Sequence, residues 1–489
     1  MKPLSLSAIY PTPLDRTSMT VLSEYANSFE DCQELYQFLL SCQKTAIEQN
    51  SCKIVSISRE IPSIDPLAVI DAIAQPDDLH FYLEKPSKQE AIAAIGSTAS
   101  LKITDGNRFL NAEKFIQSCL SNTILSDKNN LFFADAHFFC SFTFYDQSTD
   151  DEFNFPSATI FLPRLQVSRK GNKGTIVYNC QIDRHSHIDL ISESIWQEFK
   201  KVQAIKRINF SPYPDKNLFS LDINNVNNFK SAVLSSLELI KQNQLNKIVL
   251  AHAVDVFSPT SFKLANSLDN LRKLSPDCYV FSTSNGKGQT FIGASPERLI
   301  SISNGEFITD ALAGSAARGK TTIEDAEFAN RLLSNEKERR EHSIVLDFIT
   351  QRLTKLGLTP KTASMPQLLQ LSNIQHLWTP IQARVPDGVS PFEILAELHP
   401  TPAVAGAPRD FACEQIRRYE SFDRVLYAAP LGWIDSRGNS EFIVGIRSAL
   451  IDGDRARLYA GAGIVAGSNP DKELAEIQLK LQSLLKALV

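Results

Sequence analysis

The pattern of hydrophobic and polar positions changes near residue 225. Before that point, apolar runs rich in aromatic and β-branched residues at 131–144 and 157–163 predict strands, and the segments near 30–48 and 188–205 show helical spacing. After it, helix and strand patterns alternate more densely. They predict a helix at 226–243, a strand at 247–257, a helix at 260–275, strands within 277–302, a helix at 323–356, strands within 441–466 and a last helix. We therefore expect a mixed α and β protein with an N-terminal half, 1–225, and a C-terminal half, 226–489.

The last helix is predicted to begin near Pro470. Ser468 or Asn469 can cap a helix, and proline fits its first turn. Glycines precede this segment at Gly461 and Gly463, where backbone amides can approach an anion closely.

Two pairs of glutamates stand at helical spacing, Glu338 with Glu341 and Glu473 with Glu476. Residues three apart project from the same face of a helix, so each pair presents two carboxylates in one direction. Such oxygen ligands suit Mg²⁺, which keeps several waters and takes an anionic substrate. An isolated pair is more often solvated surface charge, but Lys480 continues the stripe of the second pair. The four glutamates therefore predict a bipartite magnesium site.

Composition narrows the class of protein. With 489 residues, 43% of them hydrophobic, and a net charge of −5, the chain can bury a large core and has no basic footprint for nucleic acid. It has no apolar run of about eighteen residues that could enter a bilayer. Residues 1–17 lack the features of a secretory or transit peptide, so we expect a cytoplasmic protein. The eight cysteines occur singly, without a zinc-type or disulfide-type spacing.

A second motif suggests different chemistry. The segment from Gly314 to Thr321 fits the P-loop pattern G-x-x-x-x-G-K-[ST], which would make the protein a nucleotide hydrolase. No apolar strand ends in a suitable partner aspartate, because Asp347 falls inside the predicted helix of Glu341. The P-loop enzyme is kept as a more distant alternative.

The C-terminal half resembles the chorismate-utilising enzymes related to anthranilate synthase component I, from about residue 230 to 486. The resemblance depends on an ordered series of motifs: Lys247-Ile-Val-Leu-Ala, Phe291-Ile-Gly-Ala-Ser-Pro-Glu297, Leu312-Ala-Gly-Ser-Ala, Glu338-Arg-Arg-Glu341-His, Gln375-His376-Leu, Leu398-His-Pro-Thr-Pro-Ala-Val404, Phe422-Asp-Arg, Gly432-Trp-Ile-Asp, Ile446-Arg447-Ser and Tyr459-Ala-Gly-Ala-Gly-Ile-Val465. It implies an α+β fold of two packed antiparallel sheets flanked by helices in one large domain, with the N-terminal half supplying part of the core.

The resemblance also implies a substrate and a cofactor. Glu341 and Glu476 would hold Mg²⁺ directly, with Glu338 and Glu473 acting through water, and the metal would bind the ring carboxylate of chorismate. The groups expected to bind the rest of the substrate are Gly314, Ser315, His376, Ala403, Arg447, Gly461, Gly463 and Lys480. Arg447 and Lys480 would pair with its enolpyruvyl carboxylate.

Lys247 and Glu297 would then perform proton transfer. Lys247 would be the general base for a water that attacks C2, and Glu297 the acid that protonates the departing C4 hydroxyl. The implied activity is that of an isomerase converting chorismate to isochorismate, for menaquinone, phylloquinone or siderophore synthesis. A salicylate synthase of the same family is the nearest alternative, and a non-catalytic chorismate-binding homologue is a third.

Some positions separate this chain from other members of the family. The segment Ala311-Leu-Ala313-Gly-Ser315 lacks the nucleophilic lysine of aminodeoxychorismate synthases, and Ala403 stands where anthranilate synthases carry threonine. We therefore expect no obligatory glutaminase subunit. Separately, we expect the protein to be a monomer. The departures from the family pattern are His252, Ala311, Ala405 and Ala429, and the last two replace glycines, which puts the local loop geometry in question.

Overall fold

The computed structural model of the chain describes residues 20–21, 29, 31–104, 106–126, 131–147, 155–205, 219–222 and 226–488. The N-terminal segment 1–17 and the change of pattern at 223–225 lie outside these ranges. The boundary between the two halves therefore remains a prediction.

Eleven α-helices occur in the described part of the chain. In chain order they are α1 (Cys32–Glu48), α2 (Pro66–Ile73), α3 (Arg108–Leu120), α4 (Ile188–Ala204), α5 (Val226–Lys241), α6 (Leu264–Leu274), α7 (Thr322–Ser334), α8 (Glu336–Lys355), α9 (Pro391–Leu398), α10 (Arg409–Tyr419) and α11 (Pro470–Leu488). None of these described helices is long and apolar enough to cross a membrane.

The described strands fall into two sheets. In chain order they are β1 (Thr20–Val21), β2 (Lys53–Pro62), β3 (His80–Lys85), β4 (Glu90–Ile95), β5 (Ala99–Ile103), β6 (Thr123–Leu125), β7 (His137–Phe142), β8 (Ala158–Leu162), β9 (Leu165–Lys170), β10 (Lys173–Ile182), β11 (Phe219–Asp222), β12 (Lys247–Phe257), β13 (Tyr279–Ser284), β14 (Gln289–Ser295), β15 (Arg298–Ser303), β16 (Glu306–Ala317), β17 (Lys361–Thr362), β18 (Gln367–Gln370), β19 (Ile374–Arg384), β20 (Gly406–Ala407), β21 (Pro430–Asp435), β22 (Ser440–Val444), β23 (Ser448–Asp452) and β24 (Arg455–Ile464).

The larger sheet has the order β1-β6-β2-β10-β9-β4-β3-β13-β14-β23-β24-β12-β11, with β20 paired to β12. The smaller sheet has the order β17-β19-β16-β15-β22-β21-β7-β8-β5, with β18 paired to β19. Pairing is antiparallel except where β6 meets β1 and β2. Each sheet draws strands from both halves of the chain, so neither half forms a sheet system of its own.

The alternation of side chains along the strands separates two apolar clusters. Phe281 and Phe291 point into a cluster shared by the two sheets and α3, α5, α8, α9 and α10. Their neighbours Val280 and Ile292 point to the opposite face of the larger sheet, which α1, α2, α4 and α6 cover. Successive side chains of a strand face opposite sides, so a strand buried on both faces belongs to both clusters.

Two connections cross from one sheet to the other at the same place. The link from β14 to β15 carries Glu297, and the link from β22 to β23 carries Arg447. The two links are hydrogen-bonded, because the Ala294 amide donates to the Arg447 carbonyl at 3.1 Å and the Val444 amide donates to the Glu297 carbonyl at 3.1 Å. Arg447 has a left-handed backbone, with φ of 50°. A non-glycine residue in this region costs conformational energy, and such strain is often found at functional sites.

The predicted single helix at 323–356 is wrong: the segment forms α7 and α8, which are separated at Asn335. The side chain of Asn335 accepts hydrogen bonds from the amides of Lys337 and Glu338 and therefore starts a new helix. The other predicted helices of the C-terminal half are observed, with α11 beginning at Pro470. Asn469 caps α11 by accepting from the amides of Asp471 and Lys472.

Candidate active site

A cavity of about 670 Å³, including the part open to solvent, lies where the two crossing links meet α8 and α11, which contribute Glu341, Glu476 and Lys480. Its walls come from β12 and β24 of the larger sheet and from β16 and β19 of the smaller one.

Most of the residues predicted for the site line this cavity. They are Glu297, Gly314, Ser315, Glu341, His376, Ala403, Arg447, Gly461, Gly463, Glu476 and Lys480. Two predicted residues that do not line the cavity contact this set, Lys247 through Glu341 and Glu338 through the Ser315 amide. Glu473 is linked to it only indirectly, because its contact is with Lys337, which lies 3.5 Å from Glu338 Oε1. The lining residues that sequence reasoning did not assign are mostly apolar: Val249, Pro296, Leu312, Ala313, Val404, Tyr427, Ile446 and Ala460. Several of these residues belong to the family motifs given above, so membership in those motifs could have identified them as lining residues.

A β-bulge shapes the wall that β16 contributes. The register between β16 and β19 shifts between Ala313 and Ser315, and Gly314 has φ of +81°. The bulge turns the Ser315 amide toward Glu338, whose Oε2 accepts its hydrogen bond at 3.0 Å. A Cβ at Gly314 would lie 3.2 Å from the Glu338 carbonyl oxygen, so both the backbone angle and the space require glycine.

A chain of hydrogen bonds joins Arg447 to Glu476 across the cavity. Arg447 Nη2 lies 2.8 Å from His376 Nε2, and His376 Nδ1 lies 2.9 Å from Ser315 Oγ. Arginine can only donate, so Nε2 accepts and Nδ1 carries the proton that is donated to Ser315. The Ser315 hydroxyl in turn bonds the Glu476 carboxylate. Burial, together with the charges of Arg447 and Lys480, holds the pKa of His376 well below its usual range, so this imidazole is neutral.

Glu297 is a buried acid. Burial raises the pKa of its carboxyl to about 8, with Asp310 adding to the rise and the positive charges of Lys247 and Lys480 opposing it. The side chain is therefore mostly protonated at neutral pH and lines the cavity as a proton donor.

Lys247 lies at the start of β12 and is almost fully buried, at 1% exposure. Its Nζ is 2.9 Å from Glu341 Oε1. Gly463, on the neighbouring strand β24, makes room for this pair: a Cβ there would overlap Glu341 Oε1 and lie 3.1 Å from Lys247 Cε. The ammonium is thus paired with Glu341. Its positive charge also acts on Glu297, where it opposes the rise in the pKa of that carboxyl.

The remaining glutamates also face lysines. Lys480 Nζ lies 2.7 Å from Glu476 Oε1 and donates to the Gly461 carbonyl at 2.8 Å. Although burial raises the pKa of Glu476, the charge and hydrogen bonds of Lys480 and Ser315 bring it below its usual range. Lys337 Nζ lies 3.0 Å from Glu473 Oε1. Among the described residues no three His, Cys, Asp or Glu side chains are gathered as a ready-made metal cluster.

Arg424 fixes the backbone behind the cavity. Its guanidinium, fully buried, donates to the carbonyls of Val249 and Val404, at 2.8 and 2.7 Å, and forms a two-pronged pair with Glu420. Glu420 Oε1 also accepts from the Ala251 amide at 2.7 Å. Val249 and Val404 line the cavity, so the Phe422-Asp-Arg motif supports the site without reaching it.

The P-loop pattern does not form a phosphate-binding loop. Gly314 through Ala317 lie in β16, and α7 begins at Thr322 with Thr321 as its cap. Arg318 and the Gly319 amide bind Asp325, and the Lys320 amide donates to Glu324. The amides of Gly319 and Lys320, which would donate hydrogen bonds to a phosphate in a P-loop, therefore donate to carboxylates of the chain itself.

The two alanines that replace family glycines do not distort their loops. Neither Ala405 nor Ala429 has a positive φ, whereas the adjacent Ala428 has φ of 61°. Alanine can therefore replace glycine at these two positions without strain, since their backbone conformation suits any residue.

Residues 38–489 match the sequence profile of the family described as "Chorismate binding enzyme". The chain belongs to this family. It is 29% identical over 452 residues to the isochorismate synthase MenF of Bacillus subtilis, which covers 91% of this chain and 95% of that protein. It is 39% identical over 260 residues to the salicylate biosynthesis isochorismate synthase of Pseudomonas aeruginosa, covering 53% of this chain and 54% of that protein.

A solved structure of MenF, the menaquinone-specific isochorismate synthase from Escherichia coli, matches with a TM-score of 0.73 and 26% identity. The match covers 92% of this chain and 100% of that one. The predicted fold is therefore confirmed: this chorismate-binding enzyme has two large, mainly antiparallel sheets with helices around them.

Replacing Arg424 by Met should destabilise the enzyme by about 3–5 kcal/mol, because Glu420 would remain buried without its partner. Urea unfolding measures the loss. The double variant Arg424→Met with Glu420→Gln should recover part of it, since glutamine can still accept from the Ala251 amide. A double variant no more stable than the single one would contradict this account.

Proposed function

We propose that this chorismate-binding enzyme is an isochorismate synthase, an isomerase that adds water at C2 of chorismate and removes the C4 hydroxyl. The observation that carries the proposal is a lysine and a buried, protonated carboxyl, Lys247 and Glu297, held at one cavity. The likeness to isochorismate synthases along nearly the whole chain supports the same reaction.

The cavity suits a dianionic substrate. Arg447 and Lys480 line it, and either can pair with the enolpyruvyl carboxylate. Arg447 is oriented by His376, whose neutral ring accepts one of its hydrogen bonds and leaves its other donors available. There is space for the substrate ring between the two sheets, because the wall there is formed by the backbone of Gly461 and Gly463 and by the small side chain of Ala403.

The donor set fits Mg²⁺. Glu341 and Glu476 present carboxylate oxygens to the cavity, and Gly463 leaves room for the Glu341 carboxylate, because a Cβ there would overlap its Oε1. Glu338 and Glu473 lie in the first turns of α8 and α11, where the helix dipole favours negative charge. Glu341 and Glu476 would hold the ion directly, and Glu338 and Glu473 would act through water. When bound, Mg²⁺ neutralises the ring carboxylate and so reduces its opposition to the departing hydroxide.

Proton transfer is assigned to the two groups at the sheet boundary. Lys247 acts as an uncharged amine: after it gives up its own proton to solvent and its contact with Glu341 is exchanged, it takes a proton from the water that bonds to C2. Glu297 gives its proton to the C4 hydroxyl, which leaves as water while the ring double bonds shift. One water is consumed and one released, and the two side chains regain their starting protonation through solvent.

The menaquinone branch is the pathway we propose for the product. The match to the menaquinone-specific enzyme covers the whole of that chain, while the relative of salicylate biosynthesis aligns over about half of this one. Isochorismate is the expected product in either pathway, since both of these relatives are named isochorismate synthases.

Chorismate and Mg²⁺ incubated with the enzyme should give isochorismate without pyruvate, as measured by chromatography and a pyruvate assay. Lys247→Ala and Glu297→Gln should each lower kcat by about 10² to 10⁴, because each removes one proton-transfer group. Lys241→Ala, at an exposed lysine, is the control. Release of pyruvate would identify a salicylate synthase instead, and chorismate binding without turnover would identify a non-catalytic homologue.

The pKa of Glu297, raised to about 8, predicts a pH dependence. Activity should fall as pH rises through about 8, because the acid loses its proton there. The folded protein binds this proton up to a higher pH than the unfolded chain does, so ionisation opposes folding and stability decreases with rising pH between about 4.5 and 8. Urea unfolding of wild type and Glu297→Gln at several pH values should show this decrease in the wild type alone. A constant difference between the two proteins would contradict the assignment.

A further inference from the structure

Lys337 lies between the two glutamate pairs and has no part in the proton transfers described above. It is the second residue of α8, and its Nζ lies 3.0 Å from Glu473 Oε1 and 3.5 Å from Glu338 Oε1. Glu473 belongs to the first turn of α11. Lys337 therefore joins the N-termini of two helices that are 136 residues apart at this contact.

Lys247 and Lys480 make contacts of the same kind with the other two glutamates of the predicted metal site. Lys247 faces Glu341 and Lys480 faces Glu476, and both lysines belong to the reaction proposed above. Glu338 receives the Ser315 amide in addition to Lys337. Each of the four carboxylates thus has a positive or amide partner contributed by the chain itself, and Lys337 supplies that partner for the pair that would reach the metal through water.

We propose that Lys337 is a built-in countercation of the metal site, which holds α8 and α11 together without metal and lowers the affinity of the site for Mg²⁺. The inference rests on the proposed function, since it takes the four glutamates as the metal site. It adds a residue that neither the motifs nor the reaction assigned.

The direction of the effect follows from charge. Glu473 is 4% exposed, so its carboxylate is poorly solvated and needs a nearby positive charge. Lys337 and Mg²⁺ offer the same compensation and repel each other. Removal of the ammonium makes the net charge of the site more negative by one unit. The affinity for a divalent cation should therefore increase, and the stability of the metal-free protein should decrease. The lysine is 28% exposed, which screens the interaction, so we expect a change in Mg²⁺ affinity of roughly five- to tenfold.

The experiment is a calorimetric titration of the full chain with Mg²⁺ alone, with the thermal unfolding midpoint followed over the same range of Mg²⁺ concentration. Lys337→Met should bind Mg²⁺ roughly five- to tenfold more tightly than wild type. Its metal-free midpoint should be lower than that of wild type, and saturating Mg²⁺ should raise it by a larger increment. Lys337→Arg keeps the charge and should resemble wild type.

The matched control is Lys355→Met, at the far end of the same helix, where Lys355 pairs with Glu397 at 3.0 Å. It should leave Mg²⁺ affinity unchanged. Equal or weaker Mg²⁺ binding by Lys337→Met would overturn the role of Lys337 while leaving the isochorismate synthase proposal intact. If wild type and Glu341→Gln gave the same titration, the metal site and this inference would both fail.

Discussion

The cavity depends on compensating the negative charge of four glutamates, Glu338, Glu341, Glu473 and Glu476, that α8 and α11 carry at or near its wall. Like charges at such positions repel, and the burial of Glu341 and Glu473 removes the water that would screen them. The protein compensates with the N-terminal ends of α8 and α11 and with Lys247, Lys337 and Lys480. The lysines also set the chemistry, because the same contacts that stabilise the carboxylates hold the proposed base and the proposed substrate-binding cation in place.

The two-sheet architecture is what brings these groups to one point. Glu297 and Arg447 lie on links that cross between the sheets, and the carbonyl of each accepts a hydrogen bond from the strand that leads into the other link. Glu297 is buried and kept protonated, whereas the carboxylates near α8 and α11 have lysine partners. One cavity therefore contains an acid and several anions of the same residue type, which differ because their surroundings differ.

Much of this could be predicted from particular residues. The spacing of Glu338 with Glu341 and of Glu473 with Glu476 indicated shared helix faces, and Pro470 marked the start of α11. Other features could not be predicted, because they depend on contacts between remote segments. The break at Asn335 looked like the interior of a helix, and Arg424 belonged to a family motif without an assigned role until its carbonyl partners, on β12 and near α9, were known.

The sequence by itself determined the local periodicities and the start of α11, since these follow from spacing and residue type, and its family motifs implied the proposed reactive side chains. Only the tertiary structure decided which lysine faces which glutamate, that Glu297 is desolvated while Glu476 is not left unpaired, and that Gly314 forms a bulge instead of a phosphate-binding loop. The physical reason is that burial and electrostatic interactions depend on distances between segments that are far apart in the chain, and no local pattern encodes those distances.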